Sequence, residues 1–336
     1  MQLFCTAYCT DPVSTWLIAG KCATACVLHL THLKLDSAQE PSKVMHVERR
    51  TAMKSLTLES HFTGTSNLDT VMKTIDSPVF RERAFEKNLY ARHVCAYHFC
   101  HTDEDVFRAR HYGSADIIIG APPIEPYTCR CSGQIKGLSL EWLASLRRVR
   151  QCMPAYVFYE CTVHAPWEMV RAKLTGWGYE CALATVYASD VGAPHRHRRS
   201  YLLGCLKPLM VEKPTYRRNP YTLIPSPTPT MNRSSLTDKQ RTKSNFQTWL
   251  SKHGSESNDA FAHWSIVMGR PAPSDDDFMM MKERVAEWMM GMPYGWVSKQ
   301  GLKHKDACRL IGNASVWQQA HLALWRTSIM VNRLFA

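Results

Sequence analysis

The sequence lacks the features that would place it in or across a membrane. No stretch approaches the roughly 20 consecutive apolar residues that a transmembrane helix needs. The N-terminus has no basic segment ahead of an apolar run, so no secretion signal is predicted. The 13 cysteines, an odd number without a leader, are typical of mostly reduced thiols. These absences predict a protein of the cytoplasm or the nucleus, with no membrane partner.

Acidic residues are few compared with basic ones. The 336 residues include 29 acids and 41 lysines and arginines, for a formal net charge of +12. Such a balance favours a polyanionic partner, with nucleic acid ahead of an acidic membrane surface. The surplus is largest in residues 206–252, where nine basic residues meet two acids. This segment is either a solvated insertion or a lobe that contacts phosphates.

Strand-like and helix-like segments alternate over the first two-thirds of the chain. Ile117–Ile119 is a short buried strand that stops at Gly120-Ala-Pro-Pro, and Leu138–Cys152 has apolar residues at helical spacing. This alternation predicts an α/β domain with a largely parallel sheet. Residues 31–79 are polar and weakly patterned, and are interpreted as an atypical insertion. Further predicted elements are strands at Met1–Cys5, Ala23–Leu30, Val94–Tyr97, Tyr156–Tyr159, Cys181–Tyr187 and Tyr201–Leu203, and helices at Phe80–Ala91 and Trp167–Leu174.

The segment Gly120-Ala-Pro-Pro-Ile124 carries the most functional information. It resembles the nucleophile loop of the DNA cytosine-5 methyltransferases, Gly-Gly-Pro-Pro-Cys, with Ile124 in the position of the nucleophilic cysteine. In this family a thiolate attacks C6 of cytosine, which makes C5 electron-rich enough to accept a methyl group. Isoleucine cannot do this chemistry. Cys129 and Cys131 follow in the same loop and are the candidate replacement thiols.

Two further segments match the family in the same order. Tyr156-Val-Phe-Tyr-Glu160 is similar to the strand that ends in Glu-Asn-Val, whose glutamate protonates the flipped cytosine, and the resemblance implies that role for Glu160. Residues 190–199 resemble Tyr-Gly-Val-Pro-Gln-x-Arg-x-Arg, with Arg199 at the second arginine and His197 at the first. The basic side chains of this segment and of the following lobe are predicted to contact DNA. These are Arg196, His197, Arg198, Arg217, Arg218 and Arg241.

The C-terminal segments resemble phage-type and actinobacterial members of the family most literally. They are residues 268–273, Glu287–Trp296 and 310–320. In the family, the segment that matches Gly312-Asn313 belongs to a helix that folds back beside the cofactor, so the resemblance implies a cofactor-binding role for Asn313. The resemblance therefore implies a Rossmann-like, S-adenosylmethionine-dependent methyltransferase domain formed by residues 1–205 and 281–336. Residues 206–280 would form a small, basic target-recognition lobe.

The family's cofactor loop, Phe-x-Gly-x-Gly-Gly, is aligned on Phe4. Thr6, Tyr8 and Cys9 then occupy the three glycine positions, where any Cβ, and most of all that of Tyr8, would crowd S-adenosylmethionine. Asp103 is the candidate for the acid after the third strand. We therefore expect S-adenosylmethionine, the cofactor that the resemblance implies, to bind poorly.

Three functions remain open at this point. The first is a catalytically inactive member of the family that binds duplex DNA, with an active methyltransferase as its candidate protein partner. The second is an active DNA cytosine-5 methyltransferase that uses Cys129 or Cys131. The third is a structural or assembly protein that binds no nucleic acid. No metal site is predicted, because the spacing of Cys95, His98, Cys100 and His101 is not a common zinc pattern.

Overall fold

The structure is a computed structural model that describes residues 55–98, 105–107, 113–123, 137–218, 220, 259–274 and 282–336. All of these residues belong to one compact unit, Thr51–Ala336. The predicted strands at Met1–Cys5 and Ala23–Leu30 lie outside the described residues. No helix in the described ranges is long and apolar enough to cross a bilayer.

A twisted sheet organises the described residues. Its strands are β1 (Leu56–His61), β2 (Val79–Phe85), β3 (Ile117–Gly120), β4 (Tyr156–Cys161), β5 (Glu180–Tyr187) and β6 (Arg198–Cys205). They lie in the order β2-β1-β3-β4-β6-β5. The first four are parallel to their neighbours, whereas β6 is antiparallel to both β4 and β5. The predicted α/β class with a largely parallel sheet is confirmed.

Helices cover both faces of the sheet. They are α1 (Asn67–Val71), α2 (Leu89–His98), α3 (Leu140–Cys152), α4 (Trp167–Thr175), α5 (residues 259–268), α6 (Lys282–Met289), α7 (His304–Asn313) and α8 (Trp317–Asn332). Side chains alternate between the two faces of a strand. Accordingly Ile117 and Ile119 join the core formed with α1, α6, α7 and α8, and Ile118 joins the core under α3 and α4.

Three sequence predictions are wrong at the amino-terminal side of the sheet. Residues 55–79 are no insertion, because β1 is paired on both sides, with β2 and with β3. The helix predicted at Phe80–Ala91 is instead β2, and the strand predicted at Val94–Tyr97 lies inside α2. Asn88 separates the two elements, since its side chain caps α2 by accepting hydrogen bonds from the backbone N–H groups of Tyr90 and Ala91 at 2.9 and 3.1 Å.

The C-terminal segment packs on the sheet and also contacts the loop after β1. Helix α8 packs on β5 and β6. The Asn67 side chain donates to the backbone carbonyl of Ser315 at 2.6 Å, and the Trp296 indole donates to that of Thr65 at 2.8 Å. The Trp296 ring also stacks on His98, with ring centroids 3.6 Å apart. These contacts place the loop after β1 beside the C-terminal segment.

Candidate functional site

The strand order has a switch point between β1 and β3, which predicts a crevice at the carboxyl edge of the sheet. The chain runs from β1 outward to β2 and then returns to the other side of β1 as β3. In open α/β sheets, ligands bind at such a switch point, outside the carboxyl ends of the strands. Here the crevice is bounded by the loops after β1 and β3. The carboxyl end of β2 lies on one side, and that of β4 lies on the other.

The loop after β1 turns sharply over residues 62–66. Phe62, Gly64 and Ser66 all have left-handed backbones, with φ of 54°, 57° and 63°. This conformation favours glycine, so the two non-glycine residues hold it at a cost of about 1–2 kcal/mol each. Among the described residues, a Cβ built on Gly64 would have a single neighbour within 4 Å, the Phe62 carbonyl at 3.9 Å. The described part of the structure therefore leaves space at Gly64.

Glu86 follows directly after β2 and faces this loop. Its carboxylate accepts hydrogen bonds from the backbone N–H groups of Gly64 at 2.8 Å and Asn88 at 2.7 Å. Burial raises the pKa of Glu86 despite these donors. The backbone N–H of Lys87 also bonds to this carboxylate, which leaves it with acceptor capacity for a further donor. An acid at the end of the second strand is the group that binds ribose hydroxyls in nucleotide-binding sheets of this type.

Glu160 lies at the carboxyl end of β4 on the other side of the crevice. Its carboxylate is buried and pairs with the Arg199 guanidinium, with Nε and Oε1 2.8 Å apart. Burial raises the pKa of Glu160, although the charge and hydrogen bond of Arg199 oppose that rise. A buried carboxyl of this kind can hold a proton and deliver it to a ligand. The structure thus brings the two predicted catalytic residues Glu160 and Arg199 together.

The loop after β3 begins beside Glu160, since Gly120 is paired with Tyr159. A Cβ on Gly120 would lie 3.0 Å from the Tyr159 ring and 3.3 Å from the His61 carbonyl, so close packing accounts for this glycine. Ile124, Cys129 and Cys131 lie outside the described residues. Cys161 contacts the Pro122 carbonyl at 3.5 Å, but it packs in the core under α3 and α4, on the face of β4 opposite to Glu160. Cys161 is therefore no substitute nucleophile.

His197 is buried next to the Glu160–Arg199 pair, which differs from the surface contact with DNA predicted for it. Neither ring nitrogen has a hydrogen-bond partner among the described residues. Burial, with the charges of Arg199 and His195, lowers the pKa of His197 well below its usual value. Burial also lowers the pKa of His195 to about 4, although its Nε2 donates to the Met289 carbonyl at 2.9 Å. A neutral His197 cannot bind phosphate as a cation, and it suits a hydrogen bond to an uncharged group.

The arginines near His197 form an exposed basic surface. Arg196 and Arg198 are exposed on the segment that leads into β6, and Arg217 and Arg218 are exposed on the segment after it. The two segments are in contact at Gly192, which has a φ of 98°. A Cβ added to Gly192 would lie only 3.1 Å from the Arg217 carbonyl. We call Arg196, Arg198, Arg217 and Arg218 the arginine cluster. Arg241 lies outside the described residues.

Comparisons with known proteins settle the type of fold. No protein-family model and no curated protein matches the chain. Among solved structures, the Entamoeba histolytica methyltransferase EhMeth is similar, with 14% identity and a TM-score of 0.54 over 81% of this chain and 97% of that chain. The chain has a methyltransferase fold. The S. pombe Dnmt2 methyltransferase (15% identity, TM-score 0.52) covers 83% of this chain and 99% of its own. A mutant of Spodoptera frugiperda DNMT2 is also similar, with 14% identity and a TM-score of 0.51, and the match covers 84% of this chain and 100% of that chain.

These solved structures are members of the DNA cytosine-5 methyltransferase family, the family that the sequence motifs resemble. The predicted Rossmann-like methyltransferase fold is confirmed. At 14–15% identity the similarity shows the fold alone.

The structure leaves the cofactor prediction at the N-terminus without support. Phe4, Thr6, Tyr8, Cys9 and Asp103 lie outside the described residues, and Asn313 is exposed at the end of α7. Sequence analysis missed the loop after β1 and Glu86. A signal was present, since Phe62-Thr-Gly64 matches the start of Phe-x-Gly-x-Gly-Gly, with Ser66 and Asn67 at the last two glycine positions.

The cysteine and histidine group considered for zinc is used differently. Cys95 and His98 lie on α2, where Cys95 is buried against the Ser66 hydroxyl at 2.9 Å. His98 Nε2 lies 2.7 Å from the Trp296 carbonyl. Because a carbonyl oxygen can only accept, Nε2 carries the proton and donates this hydrogen bond. Cys100 and His101 lie outside the described residues. The described part of this group is therefore structural.

Proposed function

We propose that this protein binds S-adenosylmethionine and nucleic acid, and does not methylate cytosine by the covalent thiolate route. One observation carries this proposal: Glu86 and Glu160 lie at the carboxyl ends of β2 and β4, on either side of the switch point between β1 and β3, where they would bind a cofactor ribose and protonate a base. The loop between them carries Ile124 where the family has its nucleophile. The proposal keeps the binding functions of a methyltransferase and removes the step that needs a thiol.

Cofactor binding is supported by the loop after β1 rather than by the N-terminus. Gly64 supplies the tight turn and open space, and Glu86 would accept hydrogen bonds from the ribose hydroxyls of S-adenosylmethionine. The cofactor would supply the activated methyl group. This view revises the expectation of poor binding, because that expectation rested on the alignment of Phe4–Cys9.

Titration calorimetry with S-adenosylmethionine tests the cofactor site directly. We expect a micromolar dissociation constant for the full chain and a loss of about 10-fold or more for Glu86→Ala, since two hydrogen bonds to a charged group would be removed. Glu168→Gln, on the exposed face of α4, is the matched control and should bind like the parent protein. No binding by the parent protein, or equal binding by Glu86→Ala with an unchanged melting temperature, would contradict the proposed site.

Nucleic-acid binding is supported by the arginine cluster. Its four side chains are exposed, Arg196 and Arg198 precede Arg199 in the chain, and the Arg217 backbone lies beside Gly192. Basic side chains in this position displace counterions from a duplex and fix its register. Glu160 would then meet a base that has been rotated out of the duplex. Duplex DNA is the proposed ligand, and an active methyltransferase stays a predicted partner.

The absence of covalent chemistry has its own test. DNA that contains 5-fluorocytosine traps the adduct between a thiolate and C6, so that the complex survives a denaturing gel. We expect no adduct from the parent protein in the presence of S-adenosylmethionine, because Ile124 has no thiol. An adduct would contradict the proposed inactivity. Its loss in Cys129→Ser or Cys131→Ser would then show which thiol attacks.

A further inference from the structure

A second group of reactive side chains lies outside the crevice, on helices α6 and α7. Glu283 is in the first turn of α6, and His304 and Cys308 are four residues apart on one face of α7. Their ligand atoms all lie within 4.8 Å of one another. Neither the proposed cofactor site nor the arginine cluster uses any of these residues.

The distances within the group match the spacing of ligands around a metal ion. Cys308 Sγ lies 3.9 Å from Nδ1 and 3.8 Å from Nε2 of His304. Bonds of about 2.0–2.3 Å to a tetrahedral zinc ion would place nitrogen and sulfur ligands roughly 3.5 Å apart. His304 Nδ1 and Glu283 Oε2 are in direct hydrogen-bond contact. Admitting the ion requires this contact to open by roughly 1 Å.

We propose that Glu283, His304 and Cys308 form a binding site for a zinc-like divalent metal ion, with its fourth position open to water. The three donors are a carboxylate oxygen, an imidazole nitrogen and a thiolate sulfur, which are the ligand types that zinc takes in proteins. A dication balances the charges of the thiolate and the carboxylate. Zinc would take the place of the thiol proton of Cys308, which leaves to solvent, and His304 would bind as the neutral imidazole with its proton on the other ring nitrogen.

A metal ion here would join two helices that support the C-terminal segment. Helix α6 also carries Glu287, whose carboxylate accepts hydrogen bonds from the backbone N–H groups of Gly295 and Val297 at 2.8 and 2.6 Å. These bonds hold the turn that leads to Trp296 and its stack on His98. Fixing α6 to α7 would therefore stabilise the segment that closes against the loop after β1.

Cobalt(II) substitution tests the site in the full chain, because a thiolate ligand gives cobalt a sulfur-to-metal charge-transfer band. We expect this band in the parent protein and its absence in Cys308→Ser. The control is Cys152→Ser, which removes a half-buried cysteine elsewhere and should keep the band. Zinc at about 100 times its dissociation constant should raise the melting temperature by roughly 5 °C in the first two proteins only.

Glu283→Gln provides a second variant that keeps every cysteine, and it should weaken cobalt binding by about 10-fold or more. If Cys308→Ser does not fold, this variant decides the question. The proposal is overturned if the parent protein gives no band, or if the band and the zinc-induced rise persist in Cys308→Ser or are unchanged in Glu283→Gln. None of these outcomes depends on binding of S-adenosylmethionine or DNA.

Discussion

Replacing Glu59 by glutamine should lower the free energy of unfolding by about 3–5 kcal/mol. Glu59 is completely buried on β1 and accepts hydrogen bonds from Arg148 of α3, with Nε and Nη2 at 2.8 and 2.9 Å. Arg83 of β2 adds a third contact at 3.2 Å, and His61 adds a fourth at 2.8 Å. Glutamine keeps the shape but removes the negative charge. Two arginines would then be left beside an uncharged group, with Arg148 buried.

Urea unfolding followed by tryptophan fluorescence measures this loss. Glu168→Gln is the control, since the same chemical change on an exposed helix face should alter stability by no more than about 0.5 kcal/mol. The double variant Glu59→Leu with Arg148→Met should lose less stability than Glu59→Gln, because no unpaired charge remains between these two positions. A Glu59→Gln protein within about 1 kcal/mol of the parent would show that the buried network contributes little.

The same network predicts how stability responds to acid. Burial raises the pKa of Glu59, but hydrogen bonds and charges from His61 and Arg148 outweigh burial and bring it from 4.5 to about 2. A lowered pKa means that the stabilisation is present above pH 4.5 and is lost as the pH falls towards 2. The difference corresponds to about 3 kcal/mol. In Glu59→Gln, the free energy of unfolding should therefore depend less steeply on pH in this range than it does in the parent protein.

This network also explains why the sequence did not predict β1. Strands Ile117–Ile119 and Tyr156–Tyr159 and helix Leu138–Cys152 are visible in the sequence because their apolar spacing is local. By contrast, Glu59, Ser60 and His61 are polar residues inside a central strand. Key partners are distant in sequence: Arg148 is 89 residues from Glu59, and Ser145 is 84 residues from His61. A hydrophobic pattern cannot show a strand whose polar groups are satisfied by the folded structure.

The candidate site was predictable to the extent that its motifs keep their order. Glu160 and Arg199 were assigned from segments about 40 residues apart, and the antiparallel pairing of β4 with β6 brings them into contact. Gly64 and Glu86 were missed because the search for the cofactor loop began at the first residues. Once β1 is placed between β2 and β3, the loop and the acid follow from the topology of the sheet.

The buried state of His197 could not be predicted from a segment that reads His-Arg-His-Arg-Arg. Charge alone suggests that all five side chains face a phosphate backbone. In the structure, the segment alternates as it enters β6: His195 and His197 are buried, and Arg196 and Arg198 are exposed. The exposed pair extends the basic surface, and the buried pair lies under the crevice beside Arg199. One short segment thus serves both the binding surface and the interior of the site.

Removing the arginine cluster should therefore have the largest effect on DNA binding. For the variant with Arg196, Arg198, Arg217 and Arg218 all replaced by alanine, we expect affinity for a duplex at low salt to fall by at least about 100-fold. The slope of log affinity against log salt concentration should flatten by about 3–4, since each lost phosphate contact contributes about 0.9. Fluorescence anisotropy of a labelled duplex over a salt series measures both quantities.

The control replaces four exposed basic residues on α3 and α4, Arg147, Arg150, Arg171 and Lys173, and so carries the same change in net charge. Equal losses in the two variants would mean that net charge alone attracts DNA, and that the crevice edge is not the binding surface.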